Sequence, residues 1–139
     1  MTPSKDERDA AEHFAERYGR PVSDAARELE IRVIGADFGA NGYTTVAQAN
    51  LLAERLDLVP GKRLLDVGAG RGWPGLYLAK TTGCSVVVTD LPLEGMRAAV
   101  RRAAAEGLSP TARAVVGSAR RLPFGPASHD AIVHTDVLC

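Results

Sequence analysis

Apolar positions recur at two different spacings along this chain, and the spacing changes at Pro60 and Gly61. Before that turn it is helical. In DAAEHFAERY, Ala10, Phe14, Ala15 and Tyr18 fall near one face with charges elsewhere, so the first thirty residues predict helix. That helix is either a solvated surface element or a lid over a ligand site. Three glycines and an Asn-Gly pair make residues 35–45 a loop. TVAQANLLAERLDL then places Val46, Ala49, Leu52, Ala53 and Leu56 on one face, a second helix that Pro60 and Gly61 stop.

From Lys62 the pattern becomes strand and helix in alternation. KRLLDV is a short buried strand, the glycines after it form a turn, and WPGLYLAKTTG is a helix closing at Gly83. Pro74 suits its first turn, where a missing N–H is no loss. SVVVTD is a second strand, β-branched and apolar on both faces as in a covered parallel sheet. PLEGMRAAVRRAAAEG is a helix capped by Gly107, ARAVVGSA a third strand, and HDAIVHTDVLC contains a fourth. Short links between alternating elements imply right-handed crossovers and an α/β, Rossmann-like doubly wound parallel sheet, preceded by a helical lead-in. The expected division is residues 1–60 as lead-in or lid and 61–139 as the sheet domain. TDVLC shows no helix stop and no polar tail, so the sheet is expected to be incomplete, cut short after its fourth strand.

Composition narrows the class only mildly. Hydrophobic content of 45 % and charged content of 24 % are ordinary for a soluble globular domain, and 139 residues suffice for one core. The formal net charge is zero. Residues 1–60 carry seven basic and eleven acidic side chains, whereas the rest is slightly basic. Arg97, Arg101, Arg102, Arg120 and Arg121 read as a solvated helix face and loop; no aromatic residues interleave to stack bases, so no nucleic-acid partner is expected. No apolar run is long enough to span a bilayer, and the charged N-terminus is not a signal peptide, which predicts a cytoplasmic protein without a membrane partner. Cys84 and Cys139 have no metal-ligand spacing, and no metal is expected.

The chemistry rests on LLDVGAGRGWPG. Gly70, Gly72 and Gly75 spell G-x-G-x-x-G, the dinucleotide fingerprint; Asp66, Gly68, Gly70 and Gly72 spell D-x-G-x-G-x-G. Both readings use a glycine turn that admits a ligand to the backbone and helix N-terminus. Both also use an acid at the end of the second strand, here Asp90, to bind two ribose hydroxyls. In the Gly70 register Asp66 intrudes on the approach, and in the Gly68 register Trp73 occupies the position where helix and strand pack closely. The D-x-G-x-G-x-G register has neither fault.

In that register LLDVGAGRG and VVVTD resemble the first two motifs of the class I S-adenosylmethionine-dependent methyltransferases. GSARRLPFGPASHDAIVHTDVL is similar to the third region of their small-molecule, type 11-like branch. The resemblance covers about residues 40–138. It implies that Asp66 helps hold the ammonium group of S-adenosyl-L-methionine, directly or through the loop, and that Gly68, Ala69, Gly70 and Gly72 wrap its methionine part. It further implies that Asp90 binds the ribose, Leu91 packs on adenine, and Ser118 and Ala119 line the adenine edge. Ser118 stands where the family pattern has an acid, and His129 where it has Phe. His134 and Asp136, after the fourth strand, are candidate bases; Tyr43 and Gln48 are candidates to close over the methionine end. The acceptor is expected to be a small molecule. The competing readings are a non-catalytic cofactor-binding remnant or assembly module, and an NAD-binding oxidoreductase. The open fourth-strand edge suggests a homo-oligomer or a partner chain.

Overall fold

A computed structural model describes residues 2–137 of the chain, so Leu138 and Cys139 lie outside the described residues. The lead-in contains three helices where the sequence pattern predicted two. Helix α1, Lys5–Gly19, starts at a capping box in which Ser4 and Glu7 satisfy each other's backbone N–H. Pro21 biases Arg20 toward extended backbone and ends that helix. Ser23 then caps a separate helix, α2, Asp24–Ile34. Helix α3, Val46–Arg55, is opened by a second capping box, between Thr45 and Gln48.

The α/β part follows the predicted order. Strand β1 is Arg63–Val67, helix α4 is Gly75–Thr82, and strand β2 is Ser85–Asp90; helix α5 is Leu93–Ala105, strand β3 Ala112–Val116 and strand β4 Ala131–Val133. All strand pairs are parallel, in the order β3-β2-β1-β4. The chain winds outward from β1 through β3 and returns to the other side of β1 as β4. That reversal creates a switch point between β1 and β4, where α/β sheets bind ligands beyond the carboxyl ends of their strands. The sheet is open at β3 and β4. The link between those strands, residues 117–130, contains no helix. Its end is fastened by Asp130, whose carboxylate accepts from the Arg63 backbone N–H and from its Nε.

Leu64, Val86, Val88, Ala112, Ala131 and Val133 meet Leu76, Leu78, Met96, Ala99 and Ala103 in one core. A fully buried leucine or valine of this kind contributes about 1.5–3 kcal/mol. Lead-in residues Ile34, Phe38, Ala49 and Leu58 join the same cluster. No helix is long and apolar enough to cross a membrane among the described residues.

Candidate functional site

The carboxyl edge of the sheet brings four short segments together: residues 68–72 after β1, Asp90 and Leu91 after β2, residues 117–119 after β3, and residues 134–136 after β4. Gly68, Gly70 and Gly72 all have positive φ (72°, 57° and 104°), a conformation that side chains with a Cβ resist. Gly72 also has no room: a Cβ there would lie 2.5 Å from Leu76.

The glycine turn uses its own donors. Gly68 and Ala69 N–H both donate to the Thr89 carbonyl, Gly70 N–H donates to Asp90 Oδ2 at 2.8 Å, and Gly72 N–H returns to the Ala69 carbonyl. A turn that cradled a pyrophosphate would aim such donors at the ligand. Here they fasten β1's turn to β2. Asp90 Oδ1 accepts from Leu91 N–H at 2.7 Å, so one half-buried carboxylate ties the glycine turn to the start of the α5 segment. Burial raises its pKa above the usual carboxylate value, and the two N–H donors oppose that rise.

Asp66 sits below this surface. It is fully buried, its Oδ2 accepts from Gly75 N–H at 2.8 Å at the start of α4, and its Oδ1 has no partner. Desolvation pushes its pKa well above the ordinary value. The structure therefore places Asp66 beneath the loop, where it acts on the backbone of α4; neither oxygen reaches the surface that a ligand ammonium would touch.

Two elements of the lead-in cover the glycine turn. The Tyr18 ring of α1 is buried against Gly70, its hydroxyl accepting from Asn41 Nδ2 at 3.3 Å. Arg71, within the turn, holds α1 there: its guanidinium donates to the carbonyls of Arg17, Tyr18 and Arg20 and lies 5.6 Å from the centre of the Tyr18 ring. Residues 41–45 form a strap across the opening. Asp136 Oδ2 accepts from Tyr43 N–H (3.0 Å), Thr44 N–H (3.1 Å) and Thr44 Oγ1 (2.9 Å), while Trp73 Nε1 donates to the Thr44 carbonyl at 2.9 Å. Under the strap remains a cavity of about 40 Å³, bounded by Tyr18, Gly68, Gly70, Trp73 and Asp136.

The remaining predicted residues divide. Leu91, Ser118 and Ala119 line a second cavity of about 300 Å³ beyond β2 and β3, together with Glu7 and Ala10 of α1. His134 is exposed, at the β4 end of the opening. Asp136 is engaged by the strap. Tyr43 contributes its backbone to the strap, but its ring is 85 % exposed. Gln48 Oε1 accepts from Thr45 N–H as the α3 cap, and Gln48 is not among the residues lining the cavity under the strap. A larger cavity, about 470 Å³, lies behind Arg71 between the α1–α2 turn and α5, and none of Gly68, Asp90 or the β4 end lines it. Among the described residues no three His, Cys, Asp or Glu side chains are grouped to hold a metal ion.

Comparison with known proteins puts this geometry in a family. A family model described as "Methyltransferase domain" matches residues 64–139. The chain is 36 % identical over 81 residues to the Streptomyces halstedii protein Methyltransferase GfsG, covering 58 % of this chain and 29 % of that one. It is 33 % identical over 85 residues to a glycine/sarcosine/dimethylglycine N-methyltransferase of Actinopolyspora halophila, covering 61 % of this chain and 15 % of that protein. These matches span less than a third of either relative. Among solved structures, geranyl diphosphate C-methyltransferase from Streptomyces coelicolor, in complex with Mg²⁺, geranyl diphosphate and S-adenosyl-L-homocysteine, superposes with a TM-score of 0.71. Its identity is 22 %, with 94 % of this chain and 54 % of that one covered. A SAM-dependent methyltransferase from Thiobacillus denitrificans, in complex with S-adenosyl-L-homocysteine, gives a TM-score of 0.62 at 24 % identity, covering 79 % of this chain and 43 % of that one.

Proposed function

This chain belongs to the class I methyltransferase domain family, and from that premise we propose that it binds S-adenosyl-L-methionine for methyl transfer to a small-molecule acceptor. The observation that carries the reading is the pairing of Asp90 with Gly70 across the ends of β1 and β2. It sets a carboxylate beside a turn whose glycines leave the backbone bare. A ribose offers two adjacent hydroxyl donors, and the lone pairs of Asp90 not used by Gly70 and Leu91 accept them. Leu91 gives the apolar surface for the base. The bare backbone of the turn at Gly68 and Gly70, with the strap opposite, suits an amino-acid moiety. The internally spent N–H groups weigh against NAD, whose pyrophosphate needs them.

The bound group supplies an electrophilic methyl on a sulfonium. The chain's own part is to hold that methyl in line with the acceptor and exclude water, for which Tyr18 and the strap already stand over the turn. A cavity of about 40 Å³ cannot admit the amino-acid moiety, so the strap must lift for entry. Lifting it also takes the Tyr43 and Thr44 donors from the Asp136 carboxylate, which with His134 is a candidate base at the β4 end. Small acceptors are what the names of the relatives indicate: glycine and its methylated forms in one, geranyl diphosphate in another.

Calorimetric titration with S-adenosylhomocysteine tests the proposal. The wild-type chain is expected to bind it and not NAD. Asp90→Ala, verified as folded by circular dichroism, should bind about 100-fold more weakly, equivalent to ~2.7 kcal/mol. Binding of NAD by the wild type, or an Asp90→Ala variant with unchanged affinity, would overturn the reading.

A further inference from the structure

Helix α1 has one inward stripe, and one of its members is out of character. Glu7, Ala10, Phe14 and Tyr18 recur at helical spacing; Tyr18 is buried and the other three are partly covered, whereas the other acids of the helix, Asp6, Asp9, Glu12 and Glu16, are exposed. A partly covered carboxylate at the edge of that stripe is held in place by its hydrogen-bond partners. Glu7 has two: Oε2 accepts from Ser4 N–H at 2.8 Å, and Oε1 accepts from the hydroxyl of Ser118, 111 residues away on the loop after β3. Ser118 Oγ in turn accepts from Arg120 N–H at 3.1 Å. These donors hold the Glu7 carboxyl below its ordinary pKa, so it is anionic at neutral pH. A carboxylate oxygen accepts more than one hydrogen bond, so both oxygens retain capacity.

The cavity that Glu7 enters is the one lined by Leu91, Ser118 and Ala119. Leu91 and Ala10 give it an apolar surface, and the Glu7 carboxylate stands at its edge, with Asp6 and Arg120 also in the lining. A flat aromatic heterocycle carrying an amino group matches that surface: the ring packs on the apolar side chains and the amine donates to the carboxylate. Ser118 supplies only a hydroxyl, already committed to Glu7 as a donor. We propose that Glu7 is the specificity-determining residue for the exocyclic amine of adenine, so that helix α1 supplies from outside the sheet the carboxylate that the β3 loop lacks. This rests on the S-adenosylmethionine reading above and adds to it a residue from the lead-in. It also gives α1 two grips on one ligand, with Glu7 at the base and Tyr18 over the glycine turn eleven residues, or about 16 Å, further along the helix.

The test compares S-adenosylhomocysteine with S-inosylhomocysteine, in which a carbonyl replaces the amine, on the full chain by calorimetry. The wild type is expected to prefer the adenosyl ligand by about 30-fold, the worth of one charge-assisted hydrogen bond and a repelled carbonyl. Glu7→Gln keeps the capping-box interaction with Ser4, because glutamine serves there as well, and its amide can donate to the carbonyl. The preference should collapse to within about 3-fold of unity or reverse. Glu7→Ala combined with Ser118→Asp, which returns a carboxylate to the β3 loop, should restore the preference for the amine. Asp90→Ala should weaken both ligands equally and leave their ratio unchanged. If the wild type binds adenosyl ligand and Glu7→Gln keeps the wild-type ratio, the inference is wrong while the cofactor reading stands. If the wild type binds neither ligand, both are wrong.

Discussion

Asp66 and Asp90 lie toward the carboxyl ends of neighbouring strands yet have opposite surroundings, and the difference makes a pH-dependence. Asp90 has a backbone N–H on each oxygen, whereas fully buried Asp66 has one donor in total, Gly75 N–H, and an unpaired Oδ1. An aspartate in the unfolded chain titrates near 3.9. Folded Asp66 titrates well above its ordinary value because burial disfavours its charge. Between those two pH values the unfolded chain has released a proton that the folded chain keeps, so stability falls as pH rises through the window, and the penalty is complete above the folded value. Asp66→Asn keeps a carbonyl acceptor for Gly75 N–H and has no charge to desolvate. The difference in unfolding free energy, variant minus wild type, should therefore grow in the variant's favour from pH 4 to pH 8 in urea titrations. A difference that stays flat would mean that the folded state holds Asp66 ionised. The sequence showed an acid at the end of an apolar run, and that run made the strand legible. It did not show which oxygen would meet which donor, since the Gly75 N–H arrives from a helix nine residues on, and depth of burial depends on α4 packing over it.

At the scale of elements, periodicity carried most of the reading, and chain separation set its limit. The α1 stripe was legible in Ala10, Phe14 and Tyr18, and so was the strand–helix alternation from Lys62 onward, because each is written in residues a few positions apart. What α1 covers was not: Tyr18 meets Gly70 and Glu7 meets Ser118 across intervals with no local pattern. The split between α1 and α2 was available in Pro21 followed by Ser23, a breaker and a cap, but helical composition on both sides hid it. The strap is another long-range product, tying residues 43 and 44 to Asp136. It reports on itself through Trp73, the only tryptophan in the chain, whose indole N–H is bonded to the Thr44 carbonyl. Asp136→Ala removes three hydrogen bonds from the strap and should shift Trp73 emission to the red as residues 41–45 lift and water reaches the ring. It should also speed association of S-adenosylhomocysteine in stopped flow. Asp136→Asn keeps one acceptor oxygen and should fall between. Unshifted emission in Asp136→Ala would mean that Trp73 and the capped start of α3 suffice to hold the strap.

Across the whole molecule, the lead-in and the sheet share one interior, which bears on the division expected at residue 60. Phe38, from the loop after α2, stands 5.8 Å from the Trp73 ring and 5.7 Å from that of Tyr77, and these two rings are 5.2 Å apart. Arg102 of α5 and Lys80 of α4 approach the Phe38 ring at 5.3 and 5.8 Å. Phe38 is 7 % exposed, so this aromatic cluster is where lead-in and sheet helices are joined. Composition and periodicity marked the boundary by a change of spacing, but a change of element type is not a gap in the core. We therefore propose that residues 1–60 and the sheet unfold as a single unit. Phe38→Ala should remove about 3–5 kcal/mol, a large part of the 5–15 kcal/mol that holds a domain of this size. That loss corresponds to a melting temperature lower by roughly 10–15 °C. Circular dichroism at 222 nm weights the helices, three of which belong to the lead-in, while Trp73 fluorescence reports the turn above the sheet. If the unit is single, the two melts coincide in the wild type and move together in Phe38→Ala. If the lead-in is an independent lid, Phe38→Ala splits the helical signal into two transitions, and Trp73, whose cover from Phe38 and Thr44 leaves with the lead-in, reports only the first.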